Sequence, residues 1–113
     1  MTKRGEQAGA LVQHKLNEII NREVEFPAGV LVTITKVEVA DNLKYATAWI
    51  TATPEDKIGL VYGKLRDKIK ELQKLVGQEA DLQFVPKLRF RVDKSAMAVE
   101  EVERLLEEIR KEK

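Results

Sequence analysis

Residues 45–56 read YATAWITATPED, and the fold turns on them. The first eight alternate. Ala46, Ala48, Ile50 and Ala52 share one face of a strand, and Tyr45, Thr47, Trp49 and Thr51 share the other, because successive strand side chains point to opposite faces. Three alanines on the core face let a covering helix sit close to the sheet. Thr53, Pro54, Glu55 and Asp56 then spell the start of that helix. The threonine hydroxyl can cap, proline suits the first helical position, and acids favour the positive end of the helix dipole.

Upstream, residues 30–39 (VLVTITKVEV) are dense in β-branched side chains and predict a partner strand. Ile34 and Val37 are both apolar, which breaks the alternation. A bulge near Thr35 and Lys36 accounts for this, as does burial on both faces. Residues 41–44 (DNLK) read as the turn between the strands. Further back, Ala8, Leu11, Val12, Leu16, Ile19 and Ile20 recur at three- and four-residue spacing, which predicts a helix over 8–24. Phe26, Pro27, Ala28 and Gly29 end it.

Downstream, Ile58, Val61, Leu65, Ile69, Leu72 and Val76 form the apolar stripe of a helix over 54–77, with Gly77 as its C-terminal glycine. Residues 81–92 predict a third strand, with Leu82, Phe84, Leu88, Phe90 and Val92 on one parity and Gln83, Lys87, Arg89 and Arg91 on the other. Pro86 favours an edge position. Ser95 then caps a last helix over 95–113. The order α-β-β-α-β-α gives an α+β domain whose three-stranded sheet is covered by helices on one face.

A chain of 113 residues fits one domain, and 43% hydrophobic content suffices for one core. The absence of cysteine excludes disulfides, a thiolate zinc site and a cysteine nucleophile. No apolar run approaches the roughly 20 residues of a membrane span, and residues 1–10 lack the apolar centre of a signal peptide. A cytoplasmic location is the expectation, with residues 1–7 a flexible N-terminus. The six glycines form no phosphate loop, and the single histidine, His14, lies on the polar side of its helix with no second ligand nearby. No catalytic, metal or cofactor constellation is present, so the expected mode of action is binding.

Charge is the uneven feature. The net charge is only +1, yet residues 57–91 hold nine bases against four acids, a difference of +5. Residues 95–113 hold six acids against four bases, a difference of −2. Arg66, Lys70 and Lys74 are spaced by four along a helix, and Lys64 and Lys68 flank them. Lys87, Arg89 and Arg91 share one face of the third strand. Such a helix and strand can track a phosphate backbone. The rival reading is a solvated surface on a protein–protein interaction module of α+β fold.

Several strings, in order, resemble the ribosome-binding factor A family. Asn21, Arg22, Glu23 and Val24 with Pro27 and Gly29 match its first helix exit. Residues 32–39 (VTITKVEV), followed by Asp41, Leu43 and Ala46, match its central run. Gly77, then Val85, Pro86, Leu88, Phe90, Asp93 and Ser95, matches its ending. The resemblance implies a type II KH-like domain over 8–94 with a mixed sheet, a C-terminal helix over 95–113, and no enzymatic activity. It also implies binding of small-subunit ribosomal RNA during late 30S maturation and rRNA processing, often needed in the cold. The implied partners are the immature 30S subunit and assembly GTPases, with the chain monomeric and no cofactor. By gapless alignment the family's Ala-x-Gly kink falls on Lys68, Ile69 and Lys70, and its following arginine on Gln73. That departure allows a straighter helix. The expected RNA contacts are Lys64, Arg66, Lys68, Lys70, Lys74, Lys87, Arg89 and Arg91.

Overall fold

The small core face of residues 45–53 lies at the centre of the molecule. In the computed structural model, which describes residues 3–42, 44–80, 86–94 and 107, Ala46, Ala48 and Ile50 are fully buried and Ala52 nearly so. The chain runs α1 (Lys3–Glu23), β1 (Leu31–Val39), β2 (Tyr45–Thr53), a 3-10 turn (Glu55–Lys57), α2 (Ile58–Asp67), α3 (Ile69–Glu79) and β3 (Lys87–Val92). The strand order is β1-β2-β3, with β1 antiparallel and β3 parallel to β2. The mixed three-stranded sheet and the one-sided helical layer are as expected. Its core joins Leu16, Ile19 and Ile20 of α1 to Ile58, Val61 and Leu65 of α2, Leu72 and Val76 of α3, and the inward faces of the strands.

The bulge reading of β1 holds. The register shifts between Ile34 and Lys36, so Ile34 faces Ile50 and Lys36 faces Trp49. Side chains of α1 serve the irregular backbone. Gln13 Nε2 donates to the carbonyls of Ile34 (3.2 Å) and Thr35 (3.3 Å), and Asn17 Oδ1 accepts from the Ile34 N–H at 3.2 Å. On the opposite edge, Gln73 Oε1 accepts from the Leu88 N–H at 3.0 Å. Side-chain amides thus occupy backbone groups on both outer strands, which blunts strand-to-strand association.

Five sequence expectations need correction. Helix α1 begins at Lys3, so the segment expected as a flexible N-terminus is helical from there. Its buried line runs Gly9, Val12, Leu16, Ile19 and Ile20, which leaves Leu11 on the flank, 38% exposed. Pro54 is extended (φ −68°, ψ 155°) and no side chain caps the 3-10 turn, so the helix proper starts at Ile58, behind Lys57. Gly77 lies inside α3, which ends at Glu79 with Ala80 as its cap. Gly29 does serve as a turn residue, at φ 83°. The helix expected over 54–77 is two helices, broken at Lys68 (φ −104°, ψ 11°). The last helix, the strand positions 81–85 and Leu43 of the turn lie outside the described residues.

Gly9 marks the closest helix–sheet approach. A Cβ there would lie 2.6 Å from the Val37 carbonyl oxygen. Alanine would gain about 1 kcal/mol of helix propensity, but the clash is with backbone, which must move. We expect Gly9→Ala to destabilise by up to about 2 kcal/mol net in urea unfolding, since overpacking of this kind costs about 1–3 kcal/mol. At the fully buried Ala48, leucine should likewise cost about 1–3 kcal/mol. An Ala48→Leu midpoint equal to the parent's would show that the helical layer yields there.

Candidate nucleic-acid interface

The pleat of β3 divides its side chains. Leu88, Phe90 and Val92 are buried under the helices, so Lys87, Arg89 and Arg91 project from the opposite face, which none of the described helices covers. Pairing with β2 sets Lys87 beside Tyr45, Arg89 beside Thr47, and Arg91 beside Trp49. Arg89 Nε donates to Thr47 Oγ1 at 3.1 Å, and its guanidinium lies 5.9 Å from the Tyr45 ring centroid. The bulge brings Lys36 to the same face, with Nζ 5.8 Å from the Trp49 ring centroid and 3.1 Å from Glu38 Oε1. Both are cation–π distances. Beside Trp49, residues Thr35, Lys36, Asp93 and Lys94 line a cleft of about 460 Å³, where Thr35 Oγ1 donates to Asp93 Oδ2 at 2.8 Å.

The helix bases occupy the other layer. Lys64 Nζ donates to the Glu25 carbonyl at 2.9 Å, and Lys68 Nζ reaches the Glu23 carbonyl at 3.5 Å. These carbonyls lie at and just past the end of α1, where cations are favoured by the helix dipole. Both lysines line a cleft of about 530 Å³ with Arg22, Glu23, Val24, Glu25 and Asp67. Arg66 is half-buried, with its guanidinium 5.6 Å from the Tyr62 ring centroid. Its Nε and the Trp49 Nε1 are buried without hydrogen-bond partners among the described residues. Lys70 and Lys74 are exposed on α3.

The eight expected contact residues therefore form two sets. Lys64, Arg66, Lys68, Lys70 and Lys74 belong to the helical layer; Lys87, Arg89 and Arg91 belong to the open sheet face. The layers touch along β3, where Gln73 of α3 meets Leu88. Among the described residues, Lys70, Lys74, Lys87 and Arg91 have no side-chain hydrogen bond, ion pair or ring contact. Lys36 escapes a regular alternation count, because parity puts it with Ile34 until the bulge reverses it. The paired apolar residues Ile34 and Val37 are the one signal of that reversal.

Among the described residues, no three His, Cys, Asp or Glu side chains gather to hold a metal, and no helix is long and apolar enough to cross a membrane. His14 is 70% exposed and pairs with Glu18 at 3.0 Å.

Fold and surface define a KH-like α+β domain with exposed cations on both layers. The family model for ribosome-binding factor A matches residues 4–106. The chain is 32% identical to ribosome-binding factor A of Akkermansia muciniphila over 98% of its length and 88% of the relative's, and 36% identical to that of Pseudomonas aeruginosa over 92% and 83%. The crystal structure of ribosome-binding factor A from Thermus thermophilus superposes with a TM-score of 0.68 at 18% identity, over 78% of this chain and 94% of that one. A homology model of the Thermus thermophilus factor, fitted into a cryo-electron-microscopy map of a 30S complex, superposes with a TM-score of 0.67 at 19% identity, over 79% and 94%. The chain belongs to the ribosome-binding factor A family.

One ion pair ties the helix ends beside the Lys64–Lys68 cleft. Arg22 reaches Glu79 with both terminal nitrogens, Nη1 at 3.2 Å from Oε1 and Nη2 on Oε2, and also pairs with Glu23. Hydrogen bonding from Arg22 holds the Glu79 carboxyl below its ordinary range, and the same bond raises the Arg22 guanidinium. A depressed carboxyl stabilises the fold above its unfolded pKa, about 4.3, and loses that contribution as pH falls through the folded value. The melting-temperature gap between parent and Glu79→Gln should therefore be present at pH 7, close as the solution is acidified below about pH 4, and shrink in high salt, since the pair is solvent-exposed.

Proposed function

We propose that the chain is an RNA-binding assembly factor that binds small-subunit ribosomal RNA and aids late maturation of the 30S subunit, including rRNA processing. Family membership sets the class. The observation that carries the RNA reading is the set of cations with no partner among the described residues, Lys70 and Lys74 on one layer and Lys87 and Arg91 on the other. Cations left without protein partners repel one another unless an anion uses them, and a folded RNA presents phosphates on several sides at once. We extend the reading to their neighbours on the same two layers, so that the proposed contacts are Lys64, Arg66, Lys68, Lys70, Lys74, Lys87, Arg89 and Arg91. Lys64 and Lys68 would serve RNA while also holding the α1 exit. By the same reading the chain is a cytoplasmic monomer without enzymatic activity, works with assembly GTPases, and matters most in the cold.

Binding to purified small subunits tests this. With roughly five phosphates contacted, log affinity should fall against log salt with a slope of about −3 to −4. Lys70→Glu with Lys74→Glu should weaken binding about tenfold or more and flatten the slope by about one for each phosphate no longer neutralised, with thermal unfolding unchanged. Charge reversal at Arg104 and Arg110, in the acidic 95–113 segment, should matter much less. Equal losses from both pairs would reduce the effect to net charge; a flat salt response would favour a protein partner.

A further inference from the structure

We propose that the uncovered face of the sheet is a single-stranded RNA surface, on which Tyr45 and Trp49 stack unpaired bases while Lys36, Arg89 and Arg91 hold the flanking phosphates. It rests on the RNA-binding reading and adds a second contact surface, opposite the helices, with its own chemistry. The two rings stand on one face of one strand, four residues apart, so about 13 Å at roughly 3.3 Å per residue. Tyr45 is 47% exposed and Trp49 half-buried, so each is seated on the sheet with part of its ring open. Each ring already has a cation beside it, Arg89 for Tyr45 and Lys36 for Trp49, and Arg91 pairs in register with Trp49.

Charge selects the partner. The face and the cleft beside Trp49 carry Lys36, Lys87, Arg89, Arg91 and Lys94 against Glu38 and Asp93, five minus two, or +3. A protein interface of this size would be expected to deplete charge at its centre and present a continuous apolar core; here Thr47 lies between the two rings and cations flank both. The one large aliphatic exposed on this face among the described residues, Leu31, pairs with Thr53, four positions along β2 from Trp49, so a membrane would meet no continuous apolar wedge. Sequence-tolerant single-strand binding needs this combination instead: aromatic faces for bases and cations for the backbone. Duplex RNA hides its base faces in the stack and offers the rings nothing. The bond from Arg89 Nε to Thr47 holds that guanidinium beside the Tyr45 ring before ligand arrives, which reduces the ordering cost of binding.

Trp49 is the chain's one tryptophan, so its fluorescence reports on this face alone. The full chain is titrated with a single-stranded oligouridylate of about 12 nucleotides, a length comparable to the site sizes of such surfaces, and with an RNA duplex of equal length. Saturable quenching by the single strand, and little by the duplex, is the expected result. Tyr45→Ala should weaken single-strand binding about tenfold, the loss of one stacked base, while Tyr45→Phe, which keeps the ring, should bind like the parent. Circular dichroism melts confirm that both variants fold. Single-strand binding seen by anisotropy, with Trp49 emission unmoved and Tyr45→Ala at full affinity, would overturn the proposal and leave subunit binding through the helices intact. Loss of affinity in Tyr45→Phe as well would overturn stacking. Self-association relieved by Tyr45→Ala, with RNA affinity unchanged, would make the face a protein interface. Failure to bind both the oligonucleotide and purified small subunits would sink the RNA reading along with this one.

Discussion

The close approach of the helices to the central strand constrains everything else in the structure. β2 is paired on both sides, so its core face must be covered, and it offers Ala46, Ala48 and Ala52 around a single Ile50. Small side chains under a helix shorten the distance between layers. Gly9 repeats the device from the other side, letting α1 come within contact of the Val37 backbone. With the layers this near, the large aliphatics of α1, α2 and α3 reach between strands and close a continuous core. Such interiors are densely packed, so neither layer can shift without disturbing the other.

That one-sided closure creates the functional asymmetry. One face of the sheet is consumed by packing, and the alternate side chains of the same strands are left in solvent. On β3 every inward apolar residue forces an outward base: Leu88, Phe90 and Val92 buried, Lys87, Arg89 and Arg91 exposed. The bulge in β1 extends this pattern by turning Lys36 outward opposite Trp49. The cations of the sheet face are thus fixed by register on a rigid element. Those of the helical layer differ in their surroundings, Arg66 lying half-buried beside Tyr62. Lys64 and Lys68 are held at the end of α1, whereas Lys70 and Lys74 stand free of protein partners among the described residues.

The break at Lys68 shows why family resemblance and local chemistry must both be weighed. Alignment located the family's kink there, and the replacement of Ala-x-Gly by Lys68, Ile69 and Lys70 left room for a straighter helix. The kink persists. Lys68 adopts a negative φ that any residue tolerates, so glycine is not required. The apolar spacing does not demand the break either, since Leu65, Leu72 and Val76 would share a face of one straight helix. Hydrogen bonds from Lys64 and Lys68 to the α1 exit span the break region. Gln73, the other departure, caps an edge N–H of β3.

Binary pattern alone determined the order of the described elements apart from the break at Lys68, the paired strands, most of the helix stripes and the inward and outward faces of β2 and β3, because periodicities of two and 3.6 are local properties of the chain. The same pattern identified all three bases of β3 as outward. What only the tertiary structure decided are the features that depend on residues distant in sequence. The bulge is set by Gln13 and Asn17, about twenty positions away from it. The line of burial along α1 shifts from Leu11 to Gly9 because the sheet approaches closest there. The start of α2 moves past Thr53 and Pro54, since Pro54 stays extended despite its propensity for the first helical turn. The separation of one run of basic residues into two surfaces follows from the same cause: sequence spacing orders side chains within an element, while the packing of elements assigns each face to solvent or core.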